Sequence, residues 1–530
     1  MKRLISYMGP GIMVLFVILG GGWHFLQTRA GALGAGELWL CDLYLVLAAL
    51  AAGLLLFLTF SLFIKKLKTE LCAGITVLVL GILYMTALPP VSAPDEISHF
   101  VSAYAVSNRI LGEMPVDAEG NVRMRKEDEY LQNIYGASGD EARESLGRVL
   151  TEETWKQIAE HISPVFVPAE QRIMVSSVQK PVNTTPAAYL APALGITLGR
   201  LLHVNCVIVA FLARLFNLLF FAAMVCFSIR VLPFGKQILW GVSLLPMTLH
   251  LAASCSYDTF LMGTCFLFGS YALYLAYAKP MVQKRDIAVL VVLAAAFGPC
   301  KMVYAVVLGM ALLIPVKKFG DWKNWALSAG TVLLAFALAM IAVNSGTIAT
   351  YASGSDTYVA WAGEEGFSIP LLLHNPVLCF RMLYESLANL GDEWTLQMFG
   401  SVLGNLDPVL SVPFVVLLFM AGCLTALGIR KAGEALYLGG KQKAWIVFLA
   451  AVCLIGLMTA MLVAWTPMSS PVIEGVQGRY LLPVLPFVFM TLKSDRLVRV
   501  AGSDETLIFY MCALDCYTVF RLFSIVSMRL

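Results

Sequence analysis

Asp95, Glu96 and His99 stand together in VSAPDEISHF, residues 91–100, just past a long apolar run at about 71–89. Ionised groups strongly prefer bulk water to a bilayer, so carboxylates at the mouth of an apolar helix call for a reason. Two acids and a histidine in that place suit proton transfer or the binding of a cation. The same letters also read as an ordinary helix start, because proline followed by acids is favoured in a first turn.

Further along, other charged groups fall at the ends of apolar runs. Asp258 lies in SCSYDTF, between two of them. A carboxylate at mid-helix costs roughly 2.5–3.5 kcal/mol on insertion scales, and a position at a turn relieves that cost. Lys301 lies in FGPCKMVY, after a run (287–298) too short to span. It reads either as the lining of a cavity beside a broken helix or as a snorkelling lysine. In EGVQGRYLLP, residues 474–483, Glu474, Gln477, Arg479 and Tyr480 crowd the entrance to the next apolar run. Guanidinium matches phosphate through forked hydrogen bonds; the plainer reading of Arg479 is an interfacial anchor. Lys180 precedes a proline-interrupted stretch, and 185–201 reads as a helix lying at the interface with Arg200 near its end. Arg214, inside the following span, needs a partner or a watery cavity. Asp392 and Glu393 form a second acidic pair, or a solvated loop.

The elements that must position these groups are membrane helices. The chain has 530 residues, 59% hydrophobic and 13% charged, with mean hydropathy +0.79. A soluble protein carries about 25% charged residues. A barrel would show short alternating strands. About thirteen runs approach the length needed to cross a bilayer: 10–27, 39–64, 71–89, 205–231, 238–256, 259–278, 287–299, 302–316, 325–343, 407–429, 444–465, 480–493 and 505–525. Basic clusters at Lys2, Lys65–Lys68, Arg230–Lys236, Lys279–Arg285, Lys317–Lys323, Arg430–Lys443 and Lys493–Arg499 all fall inside when the N-terminus is inside. The first run reads as an uncleaved anchor, because a second follows at once.

This predicts an all-α polytopic protein with two large outer loops, 90–184 and 345–406. It divides into an N-terminal hairpin (1–70), a central module (71–345) and a C-terminal part (346–530). The twelve cysteines lie mostly in apolar runs and read as small hydrophobes without disulfides or zinc-like spacing. A net charge of +3 gives no basis for nucleic-acid binding. Acids (Asp95, Glu96, Asp258, Glu474) and bases (Lys180, Lys301, Arg479) all map to the outer surface. That mixture suits an anionic, lipid-linked substrate: bases hold phosphate and an acid takes a proton from an acceptor.

In order, PDEISHF, KPVNTTPAAYLAPALGITLGRLL with ARLFN, SYD, GPCK and QGRYLLP resemble the bacterial membrane proteins grouped as domain of unknown function 2142. The resemblance spans roughly residues 75–490. Its layout is similar to the glycosyltransferase C superfamily, which takes sugars from polyprenyl phosphates, usually with inversion. The resemblance implies Asp95 as catalytic base or metal ligand, with Glu96 assisting. It implies Lys180 and Arg479 as holders of the lipid phosphate, and it matches Asp258 and Lys301 without assigning them an agreed role. Asp258, Lys301, His99 and Gln477 are grouped with Lys180 and Arg479 as substrate-binding residues. Mg²⁺ or Mn²⁺ on Asp95 and Glu96 is one option. The expected activity moves a sugar from a polyprenyl-phosphate donor to a cell-envelope polymer or lipid acceptor, at the outer face of the bacterial inner membrane. The alternatives are a transporter or flippase of a lipid-linked glycan, or a non-catalytic assembly partner.

Overall fold

A computed structural model describes residues 2–132, 152–353, 357–500 and 502–528. Among these, eight helices are long and apolar enough to cross a membrane: Met8–Ala35, Trp39–Ile64, Thr69–Ala87, Cys206–Val231, Asp258–Tyr277, Trp322–Thr350, Gly440–Ala464 and Asp504–Ser527. They coincide with eight of the expected spans.

The other five expected spans are short or broken. Residues 238–256 form Lys236–Ser243 and Pro246–Ala252, interrupted just before a proline. Proline lacks an N–H and pushes the preceding residue out of the helical region. The 480–493 run, with Pro483 and Pro486, gives a 3₁₀ turn (Gly478–Leu481) and a six-residue helix (Leu485–Met490). Residues 302–313 are 3₁₀, and Lys284–Phe297 and Phe414–Gly428 have 14 and 15 residues.

The first and last spans pack together. Gly20 and Gly21 let the helix Lys2–Ala35 approach Tyr517 and Phe520 so closely that an added Cβ would meet their rings. A buried hydrogen bond joins Ser524 Oγ and His24 Nδ1 at 2.9 Å. The C-terminal helix also reaches the third span, where the Tyr84 hydroxyl donates to Asp515 at 3.0 Å. All twelve cysteines are free.

The described parts of the two polar stretches hold regular elements. The first holds the helix Glu96–Ile110 and an antiparallel ribbon pairing Arg123–Arg125 with Met174–Ser176. Arg125 and Asp128 pair in its core, and Tyr104 donates to Asp128 at 2.6 Å. The acids expected between 133 and 151 lie outside the described residues. The second stretch is largely helical: Trp322–Ser353 runs past the expected boundary, and Ile369–His374 and Pro376–Phe399 follow. The helix expected at the interface is Leu190–Leu201. Arg200 near its end is buried against Ser107, Asn108 and Glu113.

The bundle has a basic end. Phe234, between Arg230 and Lys236, packs edge-on against Tyr277 at the close of the helix Asp258–Tyr277. Lys279 pairs with Asp286 at 2.6 Å, and Lys318 donates to the Leu275 carbonyl. Lys65–Lys68 precede the start of Thr69–Ala87. Asp258 stands at the other end of Asp258–Tyr277, and the segment that carries Asp95 and Glu96 follows the other end of Thr69–Ala87.

Candidate functional site

Glu96 fixes the geometry. Both its oxygens accept from Arg214, at 2.7 Å each, and also from the backbone N–H groups of Ala93 (3.0 Å) and Cys255 (2.9 Å). Arg214 donates a further bond to the Leu88 carbonyl at 2.8 Å. This one pair ties the end of Thr69–Ala87, the start of Glu96–Ile110, the wall of Cys206–Val231 and the 254–256 turn. Burial alone would raise the Glu96 carboxyl, but the Arg214 guanidinium and the two backbone donors hold it below the usual carboxylate range. One turn along from Arg214, Asn217 donates to the carbonyls of Ser254 (2.7 Å) and Ser256 (3.1 Å). The Ser256 hydroxyl accepts from the Asp258 backbone N–H at 3.1 Å. So ARLFN clamps SCSYD, and Asp258 is set at the head of its helix.

Arg479 is placed by a close approach of backbones. Gly478 lies against the carbonyl of Trp394 and the N–H of Met398, leaving no room for a Cβ. Gly478→Ala is therefore expected to destabilise the protein by about 1–3 kcal/mol, as overpacking does. It should also move Arg479, which thermal unfolding of the purified protein, read with the Arg479 contacts in a structure of the variant, would check.

The result is a row of alternating charges. Asp95 accepts from Arg479 Nη2 at 3.1 Å, Arg479 Nε lies 3.6 Å from Asp258, and Asp258 accepts from Lys301 Nζ at 3.3 Å. Lys301 lies over the Tyr480 ring at 3.9 Å and the Tyr257 ring at 5.1 Å. The Tyr304 hydroxyl donates to the Tyr480 carbonyl at 2.6 Å, joining GPCK with its tyrosine to QGRYLLP. Asp95 is 65% exposed while Arg479 behind it is buried. Neither Arg479 Nη1 nor Gln477 Oε1 has a hydrogen-bond partner, although both atoms are buried. Buried polar atoms are nearly always satisfied, so such orphans mark places where another molecule or a water belongs.

Asp95 opens onto a cavity of about 300 Å³, together with Lys180, Ser98, Gln179 and Asn405. The Ser98 hydroxyl donates to Gln179 at 3.0 Å, and the Val182 N–H donates to Ser102 at 2.9 Å, which keeps Lys180 beside the helix Glu96–Ile110. Two residues of this wall are strained: Val91 and Asp95 have φ of 58° and 56°. A β-branched residue at positive φ is an outlier, and such strain clusters at functional sites.

His99 is buried, sharing a 2.8 Å hydrogen bond with the Tyr189 hydroxyl and meeting the Tyr257 ring edge-on. Burial pushes its imidazole down to about 4, against the opposing pull of Asp95 and Asp258. It is therefore neutral near pH 7 and supports the wall rather than carrying charge into the cavity.

Sequence reasoning paired Asp95 with Glu96, and the structure gives them different partners, Arg479 for the first and Arg214 for the second. Both Glu96 oxygens are occupied by Arg214 and backbone donors. No group of three or more His, Cys, Asp or Glu side chains among the described residues is arranged to hold a metal ion. Asp392 and Glu393 are exposed, with Glu393 accepting from Gln397. Glu474 accepts from Ser470 instead of joining the row. Arg479 does reach Asp95, Asp258 and Lys301 follow it in the row, and Lys180 shares the cavity with Asp95. Asn217 and Tyr257 went unread, although both stand in the quoted motifs, three residues past Arg214 and one before Asp258.

No curated protein and no solved structure matches this chain. Residues 78–488 match the family described as predicted membrane protein (DUF2142). That interval contains Asp95, Lys180, Arg214, Asp258, Lys301 and Arg479, and by this match the chain belongs to that family of membrane proteins.

Proposed function

We propose that this protein is a membrane glycosyltransferase that moves a sugar from a polyprenyl-phosphate donor to a cell-envelope acceptor. The observation that carries the reading is the exposed Asp95 carboxylate, ion-paired to a buried arginine with an unused donor, at the edge of a cavity that also holds Lys180. An acid poised beside cations is what inverting transfer from a phosphate leaving group needs.

In this reading Lys180 and Arg479 bind the donor phosphate, with Asp258 and Lys301 fixing Arg479 from behind. Asp95 accepts the proton of the acceptor hydroxyl as its oxygen bonds to the anomeric carbon. The bond from that carbon to the phosphate oxygen breaks, and the electron pair leaves with polyprenyl phosphate, which needs no proton from the enzyme. Gln477 lies two residues from Arg479, and its orphan Oε1 is suited to a donor hydroxyl. Glu96 and His99 act by position.

The distribution of charge supports an outward-facing site. Lys65–Lys68, Arg230–Lys236 and Lys279–Arg285 lie at the helix ends opposite Asp258 and Leu88, and basic residues favour the cytoplasmic side. In this reading the site faces outward from the bacterial inner membrane.

The test is a reconstitution. Purified protein in liposomes is given radiolabelled polyprenyl-phosphate sugars with and without an envelope glycan acceptor. The expected result is donor consumption that depends on acceptor, releases polyprenyl phosphate and is lost in Arg479→Gln. Donor that crosses the bilayer without being consumed overturns the reading in favour of a flippase.

A further inference from the structure

The helix Pro376–Phe399 presents three different faces. Met382, Ser386 and Trp394 are buried on one, where Met382 and Trp394 share an apolar cluster with Met458 and Leu462. The Ser386 hydroxyl on this face accepts from the Ile473 N–H at 2.7 Å. Val377, Phe380, Tyr384 and Leu387, at intervals of three or four, are between 50% and 76% exposed. At roughly 100° per residue these four fall in a sector about 80° wide. Arg381, Asn389 and Asp392 occupy the remaining exposed sector. A helix in water needs two faces; a third, apolar and uncovered, requires a second apolar environment.

The neighbouring helix says what that environment is. Gly440–Ala464 is one of the eight spans, with Val447, Phe448, Val452 and Ile455 exposed along its length. Met458 and Leu462, which touch the helix Pro376–Phe399, lie in the last turns of that span. Trp465 follows immediately, and its carbonyl accepts from the Trp361 indole at 3.0 Å. Both tryptophans are about half exposed, as at the level where acyl chains give way to headgroups.

We infer that Pro376–Phe399 is an interfacial helix, lying along the bilayer surface with Val377, Phe380, Tyr384 and Leu387 immersed at the acyl–headgroup boundary and Arg381, Asn389 and Asp392 in water. Its partner is the lipid of the leaflet that the charged site faces. Because the backbone of Trp394 and Met398 presses on Gly478, the same helix fixes Arg479 at headgroup depth, where a phosphate carried by a lipid resides. The immersion itself does not depend on the transfer reaction.

The test uses the full-length protein in liposomes of phosphatidylethanolamine and phosphatidylglycerol. p-Benzoylphenylalanine is placed singly at Phe380, Tyr384, Arg381 or Asn389, and intact mass is read after irradiation. Lipid adducts are expected at 380 and 384 and absent at 381 and 389. Equal adducts on both faces, no adduct on either, or cross-linked dimers at 380 showing that a second copy covers the stripe, each overturn the inference. Donor consumption measured on the same samples separates failure here from failure of the proposed reaction.

Discussion

Replacing Asp95 with asparagine is expected to slow sugar transfer by roughly 10²–10⁴-fold, the usual contribution of a positioned general base, while donor binding becomes tighter. The second effect has the less obvious sign. In the ligand-free protein the Asp95 carboxylate sits on Arg479 Nη2 at 3.1 Å, the kind of contact a phosphate oxygen makes. The buried set behind it, Arg479, Lys301 and Asp258, has one more base than acid. Asp95 thus acts as a built-in counter-ion, and a donor phosphate must displace it, which also releases the carboxylate to act as base. Ion pairs with an exposed partner are worth ~0.2–1 kcal/mol, so removing the competitor should tighten binding of a short-chain prenyl phosphate about 1.4- to 5-fold. Titration calorimetry in detergent checks this, with Arg479→Gln as the variant that loses binding. A fold defect would weaken binding and transfer together. Weaker binding in a folded Asp95→Asn protein would mean that Asp95 contacts the donor directly.

The sequence made the charged residues visible but not their pairings. Asp95, Asp258, Lys301 and Arg479 stand out because each interrupts an apolar run, where charge is expensive. Arg479 and Asp95 are 384 positions apart, and no local periodicity encodes such a contact. Asp95 and Glu96 look equivalent on paper, and both line the cavity, yet the Asp95 carboxylate is exposed on Arg479 while that of Glu96 is buried against Arg214. Arg214 plainly needed a partner, but the choice of Glu96 depends on how three helices pack. The long, uninterrupted spans were legible from length and hydropathy alone. The broken ones were not, because Pro246, Pro483 and Pro486 sit inside runs whose mean hydropathy is still high. The second polar stretch was read as a loop because the helix Pro376–Phe399 mixes Arg381, Glu385 and Asp392 with its apolar residues, a pattern that fits a surface partly in lipid.

Glu96→Gln is expected to be among the most disruptive single changes in the chain, through stability rather than chemistry. It leaves the Arg214 guanidinium buried with a neutral partner, and breaking a buried pair from one side costs about 3–5 kcal/mol. Arg214→Met should be at least as harmful, because it strands a carboxylate on two backbone donors in an apolar wall. Removing both charges together, Glu96→Leu with Arg214→Met, should recover much of the loss, since well-packed apolar pairs often replace buried ion pairs at little cost. Recovery should be incomplete, because Ala93, Cys255 and Leu88 would lose the partners of their backbone groups. Acid acts in the same direction as the single mutations. The folded-state Glu96 carboxyl titrates below its unfolded value, so its contribution is present above that value and disappears as pH falls through the lower one. Thermal unfolding followed by size-exclusion chromatography in detergent ranks the three variants. If Glu96→Gln unfolds at the wild-type temperature yet loses transfer, Glu96 belongs with Asp95 in the reaction and the clamp assigned to it here is wrong.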